Sequence, residues 1–168
     1  MTDMDKLGYR PCVGVMLFNA RGHVFVGRRI DNKEGDWWQM PQGGIDPGED
    51  ARDCAVRELG EETGVQARHV AIVAQASEKM RYDLPDELMG KLWGGRYRGQ
   101  EQTWFAARFS GSDADIDLQS HQPPEFCDWK WVEPDQLPRL IVPFKQAIYA
   151  RLVEEFSPHL QAAADGRP

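Results

Sequence analysis

Glu58, Glu61 and Glu62 fall together in "VRELGEETGV", the stretch Val56–Val65. At about 100° per residue, a helix sets Glu58 and Glu62 about 40° apart, with Glu61 beside them. Like charges at this spacing destabilise a helix by roughly 0.2–0.5 kcal/mol per pair. On the same wheel Ala51, Ala55 and Leu59 define an apolar face. Glu62 lies within that face, Glu58 beside it and Glu61 at its border. The group also occupies the last turn, where the helix dipole disfavours anions. Burying an uncompensated charge costs several kcal/mol. One remedy is protonation through a raised pKa; the other is a cation. Arg57 can reach Glu61 at i,i+4, or the loop acid Glu49, but one guanidinium cannot neutralise four carboxylates. Clustered carboxylate oxygens suit a hard divalent ion such as Mg²⁺ or Mn²⁺. None of the four histidines joins them at a zinc-like spacing. The helix alone leaves two readings open, a metal site and a solvated acidic helix end.

The elements that must position these acids are legible in outline. Asp50 is a plausible N-cap for a helix running to about Thr63, and Gly64 suits its C-terminal cap. "PCVGVMLF" (Pro11–Phe18) and "VFVGRR" (Val24–Arg29) read as strands, joined by "NARGH" as a hairpin. "PQGG" and "DPGE" punctuate the approach to the helix. Val70–Ala76, Thr103–Phe109 and Phe126–Val132 are strand-like. Val142–Phe156 carries Phe144, Ala147, Ile148, Leu152 and Phe156 at helical spacing, the pattern of a packed helix. Strands before and after a central helix, with one terminal helix, predict α/β layers around a mixed sheet. Residues 1–160 read as a single domain and 161–168 as a frayed tail.

The chain has 168 residues, 41% of them hydrophobic, enough for a real core, and a formal net charge of −7. Such an acidic chain is a poor fit for coating DNA, other nucleic acid or anionic membrane non-specifically. It can still hold a small anion through a local basic patch or a metal. Three cysteines (Cys12, Cys54 and Cys127), with no C-x-x-C spacing, fit reduced thiols in a cytoplasmic protein. The N-terminus lacks the apolar stretch of a signal peptide, and no apolar run approaches membrane-spanning length.

Gly43–Val65 reads "GGIDPGEDARDCAVRELGEETGV" and resembles a complete Nudix box, G-x5-E-x7-R-E-U-x-E-E-x-G-U with U apolar. Gly43, Glu49, Arg57, Glu58, Leu59, Glu61, Glu62, Gly64 and Val65 fill every fixed place. The flanks "GYRPCVG", "WWQMPQGG", "RYDLP", "GQEQTWF", "PPEFCDWKWV" and "IVPFK" are similar to the bacterial RNA pyrophosphohydrolases and the related diadenosine polyphosphate hydrolases. The resemblance implies an α/β (α+β) Nudix fold, a mixed β-sheet sandwiched between helices, with the box forming loop–helix–loop. It implies Mg²⁺ or Mn²⁺, two or more ions, held by Glu58, Glu61, Glu62 and, from the "PPEF" segment, Glu125. Glu61 or Glu62 is also a candidate base. Arg57 and Glu49 would pair to brace the loop against the helix. Gly43 and Gly44 would let the backbone bend sharply and approach the phosphates.

Arg10, Arg28, Arg29 and Lys145 are candidate phosphate contacts. Tyr82 and Phe144 are candidate base-stacking residues. Each has a plainer reading: Arg28 and Arg29 as surface charges, Phe144 as core. The expected activity is hydrolysis of a nucleotide polyphosphate or a 5′-triphosphorylated RNA end, leaving a 5′-monophosphate. Cleavage of diadenosine tetraphosphate to ATP and AMP is the nearest alternative. A non-catalytic nucleotide- or RNA-binding module is the alternative of another class. A monomer is favoured.

Overall fold

The computed structural model describes residues 6–31 and 35–167. Seven strands among these residues form one mixed sheet: β1 (Gly8–Phe18), β2 (Val24–Arg29), β3 (Gln42–Gly44), β4 (Val70–Gln75), β5 (Met80–Asp83), β6 (Tyr97–Phe109) and β7 (Phe126–Val132). The main path runs β4-β6-β1-β2-β7; β3 pairs with β1 and β5 with β6. The helices are α1 (Ala51–Thr63), α2 (Leu137–Leu140) and α3 (Gln146–Ala164). Among the described residues no helix is long and apolar enough to cross a membrane.

β1 and β6 form the parallel centre, aligned from Tyr9↔Gly99 to Phe18↔Arg108. Both of their faces are covered, so they read as nearly continuous apolar runs. Val13, Val15 and Leu17 of β1 with Phe105, Ala107 and Phe109 of β6 pack toward Cys54, Ala55 and Leu59 of α1. Met16 and Phe18 with Trp104 and Ala106 pack toward Tyr149, Leu152, Phe156 and Leu160 of α3. The period-two alternation of the strands divides the core into these two layers. Full burial of a side chain such as Leu59 contributes about 1.5–3 kcal/mol.

Three expectations are corrected. The β1–β2 hairpin pairs only at its turn end, Phe18↔Val24. Beyond that the strands diverge, and the 39–44 segment inserts between them, bridging Gly27↔Gln39 and pairing Val13↔Gly43. The insertion satisfies backbone groups that an opened hairpin would leave bare. Second, the terminal helix begins at Gln146, and its buried stripe is Tyr149, Leu152, Phe156, Leu160 and Ala163. Phe144 lies in the preceding single turn and is 40% exposed. Third, the helix continues to Ala164, with Ala163 fully buried, so it runs into the stretch expected to be frayed.

Candidate active site

α1 is fixed at both ends by its own sequence. The Asp50 carboxylate accepts hydrogen bonds from the backbone N–H of Arg52 (3.1 Å) and Asp53 (3.2 Å). At the other end Gly64 adopts φ 76°, the left-handed cap that lacks a Cβ penalty. A side chain there would also run into the backbone of Asp117. Between these caps, helical periodicity turns the acids by the order the wheel predicts. Glu62 is 4% exposed. The side chains of Glu58 and Glu61 are 14% and 41% exposed.

Arg57 reaches further than its sequence position suggests. Its Nε and one Nη donate to Glu49 at 2.8 and 2.9 Å, in a bidentate grip. The other Nη donates to Glu58 at 3.0 Å and to Glu61 at 3.1 Å. A further bond to the Gly44 carbonyl at 3.1 Å ties the helix to β3. The Arg57 guanidinium holds the Glu49 carboxyl down at about 2, assisted by the Asp46 N–H. Glu58 goes the other way, pushed up to about 7 by burial and then by the charge of Glu61. Glu62 is raised well above the ordinary carboxylate value, by burial first and then by Glu58 and Glu125. Among the described residues its one hydrogen-bond partner is the Gln42 N–H at 3.1 Å.

Gly43 and Gly44 sit in a strand and not at a bend, which corrects the expected reason for them. Their role is steric. The Glu58 carboxylate occupies the space a side chain at position 43 would need, and the Arg10 guanidinium occupies that space at Gly44. β3 thereby lets an acid from α1 and a base from β1 approach one backbone stretch.

These groups open into a cavity of about 700 Å³. Its wall includes Glu58, Glu61, Glu62 and the exposed Glu125, together with Arg10, Arg29 and Lys145. Arg29 is held by Asp31 through two bonds of 2.8 Å. Lys145 is only 7% exposed, with its ammonium 5.1 Å from the Tyr82 ring centroid and 5.8 Å from that of Phe144. Burial and the nearby Arg29 lower its pKa to about 8. Tyr82 and Phe144 stand 5.5 Å apart by ring centroid on the same wall. Phe144 is thus a rim residue and not core. Arg28 does not join them: it lies outside the cavity lining and meets Asp36 at 3.8 Å.

The sequence reading missed the amide floor. Gln102 donates to Gln42 (3.0 Å) and Gln100 (2.9 Å) and accepts from the Trp104 indole (2.9 Å). Gln100 and Gln42 line the cavity. The signal was present as the alternation of Gln100, Gln102 and Trp104 on one face of β6. Trp93, which lines the cavity from a loop, carried no comparable pattern.

As placed, no three His, Cys, Asp or Glu side chains among the described residues enclose a metal ion. Arg57 instead draws Glu58 and Glu61 toward itself. The donor set nonetheless fits a hard divalent ion. It is made wholly of carboxylate oxygens, and Glu62 is buried with no ion-pair partner among the described residues.

Comparison with known proteins bears on this geometry. The NUDIX domain model matches residues 8–152. The chain is 62% identical to an RNA pyrophosphohydrolase of Erythrobacter litoralis, over 92% of this chain and 94% of that one. It is 63% identical to an RNA pyrophosphohydrolase of Novosphingobium aromaticivorans, over 89% of this chain and 93% of the relative. Among solved structures it is similar in fold to a C. elegans Ap4A hydrolase in a binary complex. That likeness has a TM-score of 0.65 at 19% identity, covering 89% of this chain and 98% of the other.

Proposed function

The chain belongs to the Nudix family of hydrolases acting on phosphoanhydride bonds, and from that premise we propose that it is an RNA 5′-pyrophosphohydrolase. Its substrate is a 5′-triphosphorylated RNA end and its product a 5′-monophosphate. The observation that carries this reading is the cavity itself, whose lining joins a carboxylate cluster, the cations Arg10, Arg29 and Lys145 and the aromatic pair Tyr82 and Phe144. Names of relatives with 62% and 63% identity over nearly the whole chain support the substrate class.

Nudix hydrolases generally use divalent metal ions; here we assign Mg²⁺ or Mn²⁺ to Glu58, Glu61, Glu62 and Glu125. A divalent ion held by these carboxylates would neutralise charge on the phosphate chain and make a nearby water more acidic. Arg10, Arg29 and Lys145 bind the phosphate chain and fix its position relative to the acids. Tyr82 and Phe144 offer ring faces to a terminal base. A glutamate beside the attacking water, Glu61 or Glu62, takes its proton. Arg57 and Glu49 brace the loop so that the acids keep their places. The free cysteines, with Cys12 and Cys54 buried, support a reducing, cytoplasmic setting.

Product identification by mass spectrometry in heavy-oxygen water, on triphosphorylated RNA and diadenosine tetraphosphate side by side, tests the assignment. Release of monophosphorylated RNA is expected. A preference of more than about 100-fold in kcat/KM for the dinucleotide would replace the RNA reading.

A further inference from the structure

Arg10 and Arg29 are the arginines that line the cavity, and Arg57, Arg81 and Arg98 lie outside that lining. Arg29 is gripped by Asp31, Arg57 by Glu49, Arg81 by Glu101 and Arg98 by Asp83. Arg10 is not. Among the described residues its hydrogen bond goes to Cys12 Sγ at 3.6 Å. Its guanidinium occupies the slot left by the missing side chain of Gly44. Its central carbon lies 5.3 Å from the centroid of the Trp93 ring.

Trp93 is unusual in its own right. Its φ is 52° and its ψ 36°, making it the sole non-glycine residue with positive φ among those described. Gly94 (φ 67°) and Gly95 (φ 71°) continue the left-handed turn. Bulky residues rarely adopt this conformation, and where one is held there the surroundings must enforce it. The turn directs the ring into the cavity wall, where Tyr97 meets it edge-on at 6.3 Å. A guanidinium lying on an aromatic face keeps its in-plane N–H groups free for phosphate oxygens. A carboxylate partner would occupy those same donors and cancel the charge.

We propose that Trp93 is a positioning residue for phosphate binding: its ring holds Arg10 over the cavity as a cation with uncommitted donors. The proposal rests on reading the cavity as a polyphosphate site, but not on the RNA assignment.

A double-mutant cycle with Trp93→Asn and Arg10→Gln tests it. Asparagine tolerates the left-handed conformation while removing the ring. Trp93→Gly, which relaxes the backbone, is the second ring-less variant. Binding of inorganic triphosphate is measured by calorimetry in Ca²⁺, and kcat and KM are measured on the substrate that the wild type turns over. Each ring-less variant is expected to raise the triphosphate Kd and the KM roughly tenfold while kcat stays within about twofold. Trp93→Phe should regain most of the binding. In the Arg10→Gln background, loss of the ring should add nothing. Equal effects in both backgrounds, or an unchanged Kd in the ring-less variants, would overturn the proposal. Failure of the wild type on triphosphorylated RNA would remove the RNA reading alone, since the triphosphate cycle is scored without RNA.

Discussion

Arg57 and Glu49 meet across the junction of loop and helix, with Nε–Oε2 at 2.8 Å and Nη–Oε1 at 2.9 Å. The same guanidinium restrains Glu58 and Glu61. Arg57→Lys keeps the charge but cannot make the forked contact. It should lower kcat/KM by about 100-fold through misplaced acids. Circular dichroism should show α1 intact. Activity within twofold of wild type would contradict the bracing role.

Glu62→Gln is expected to abolish turnover and weaken divalent-ion binding, read by activity assay and metal titration. The fold should survive because glutamine can still accept from the Gln42 N–H at the position where Glu62 accepts now. Unchanged turnover at saturating Mg²⁺ would remove this residue from the site.

The metal-free protein should lose stability as pH rises from about 4.5 to about 7. Glu58 has an ordinary value of 4.5 and a folded value of about 7, so the folded state binds the extra proton across that window. Glu62 is raised in the same direction. Glu49 acts oppositely: its folded value near 2 lies below the ordinary 4.5, so its contribution is lost as pH falls through that lower range. Thermal melts in chelator should therefore peak near the boundary between the two windows, and added Mg²⁺ should flatten the upper limb. A chelated protein with stability rising from pH 4.5 to 7 would refute this account.

Lys145, with its pKa lowered to about 8, should be partly neutral in weakly alkaline solution. Phosphate binding favours its charged form, so kcat/KM should fall as pH rises through about 8. Lys145→Arg should lose that alkaline limb while retaining binding, since arginine stays charged. An unaltered limb in the variant would place the titration elsewhere.

Phe144 and Phe156 should separate cleanly. Phe156 is 1% exposed, and Phe156→Ala should cost about 3–5 kcal/mol in denaturant melts. Phe144 is 40% exposed, and Phe144→Ala should change stability by less than about 1 kcal/mol while raising KM. The reverse pattern would put Phe144 back in the core.

Local rules carried much of the reading. Asp50 and Gly64 fix the bounds of α1 by their own chemistry, and the helix repeat ranks the burial of Glu62, Glu58 and Glu61. Both depend only on neighbours in sequence. The strand Phe126–Val132 was legible for the same reason. β3 and β5 were not, because strands of three and four residues bury too little to leave a periodic pattern. Phe144 was misplaced because one aromatic at helical spacing looks the same before a helix as within it.

Residue types and their spacing sufficed for the chemistry: carboxylates grouped on one helical turn, a brace for them, and the family pattern that contains both. Which charges stay available follows from how distant segments pack. Glu62 is buried with no ion-pair partner among the described residues because its place on α1 sets it against the Gln42 N–H of β3. Lys145 is desolvated because Tyr82, distant in sequence, covers it. Arg10 lies over a ring, with no carboxylate partner among the described residues, where a left-handed turn brings Trp93 to it. Desolvation and cation–ring contact depend on where distant segments meet in space, so no short stretch of sequence encodes them.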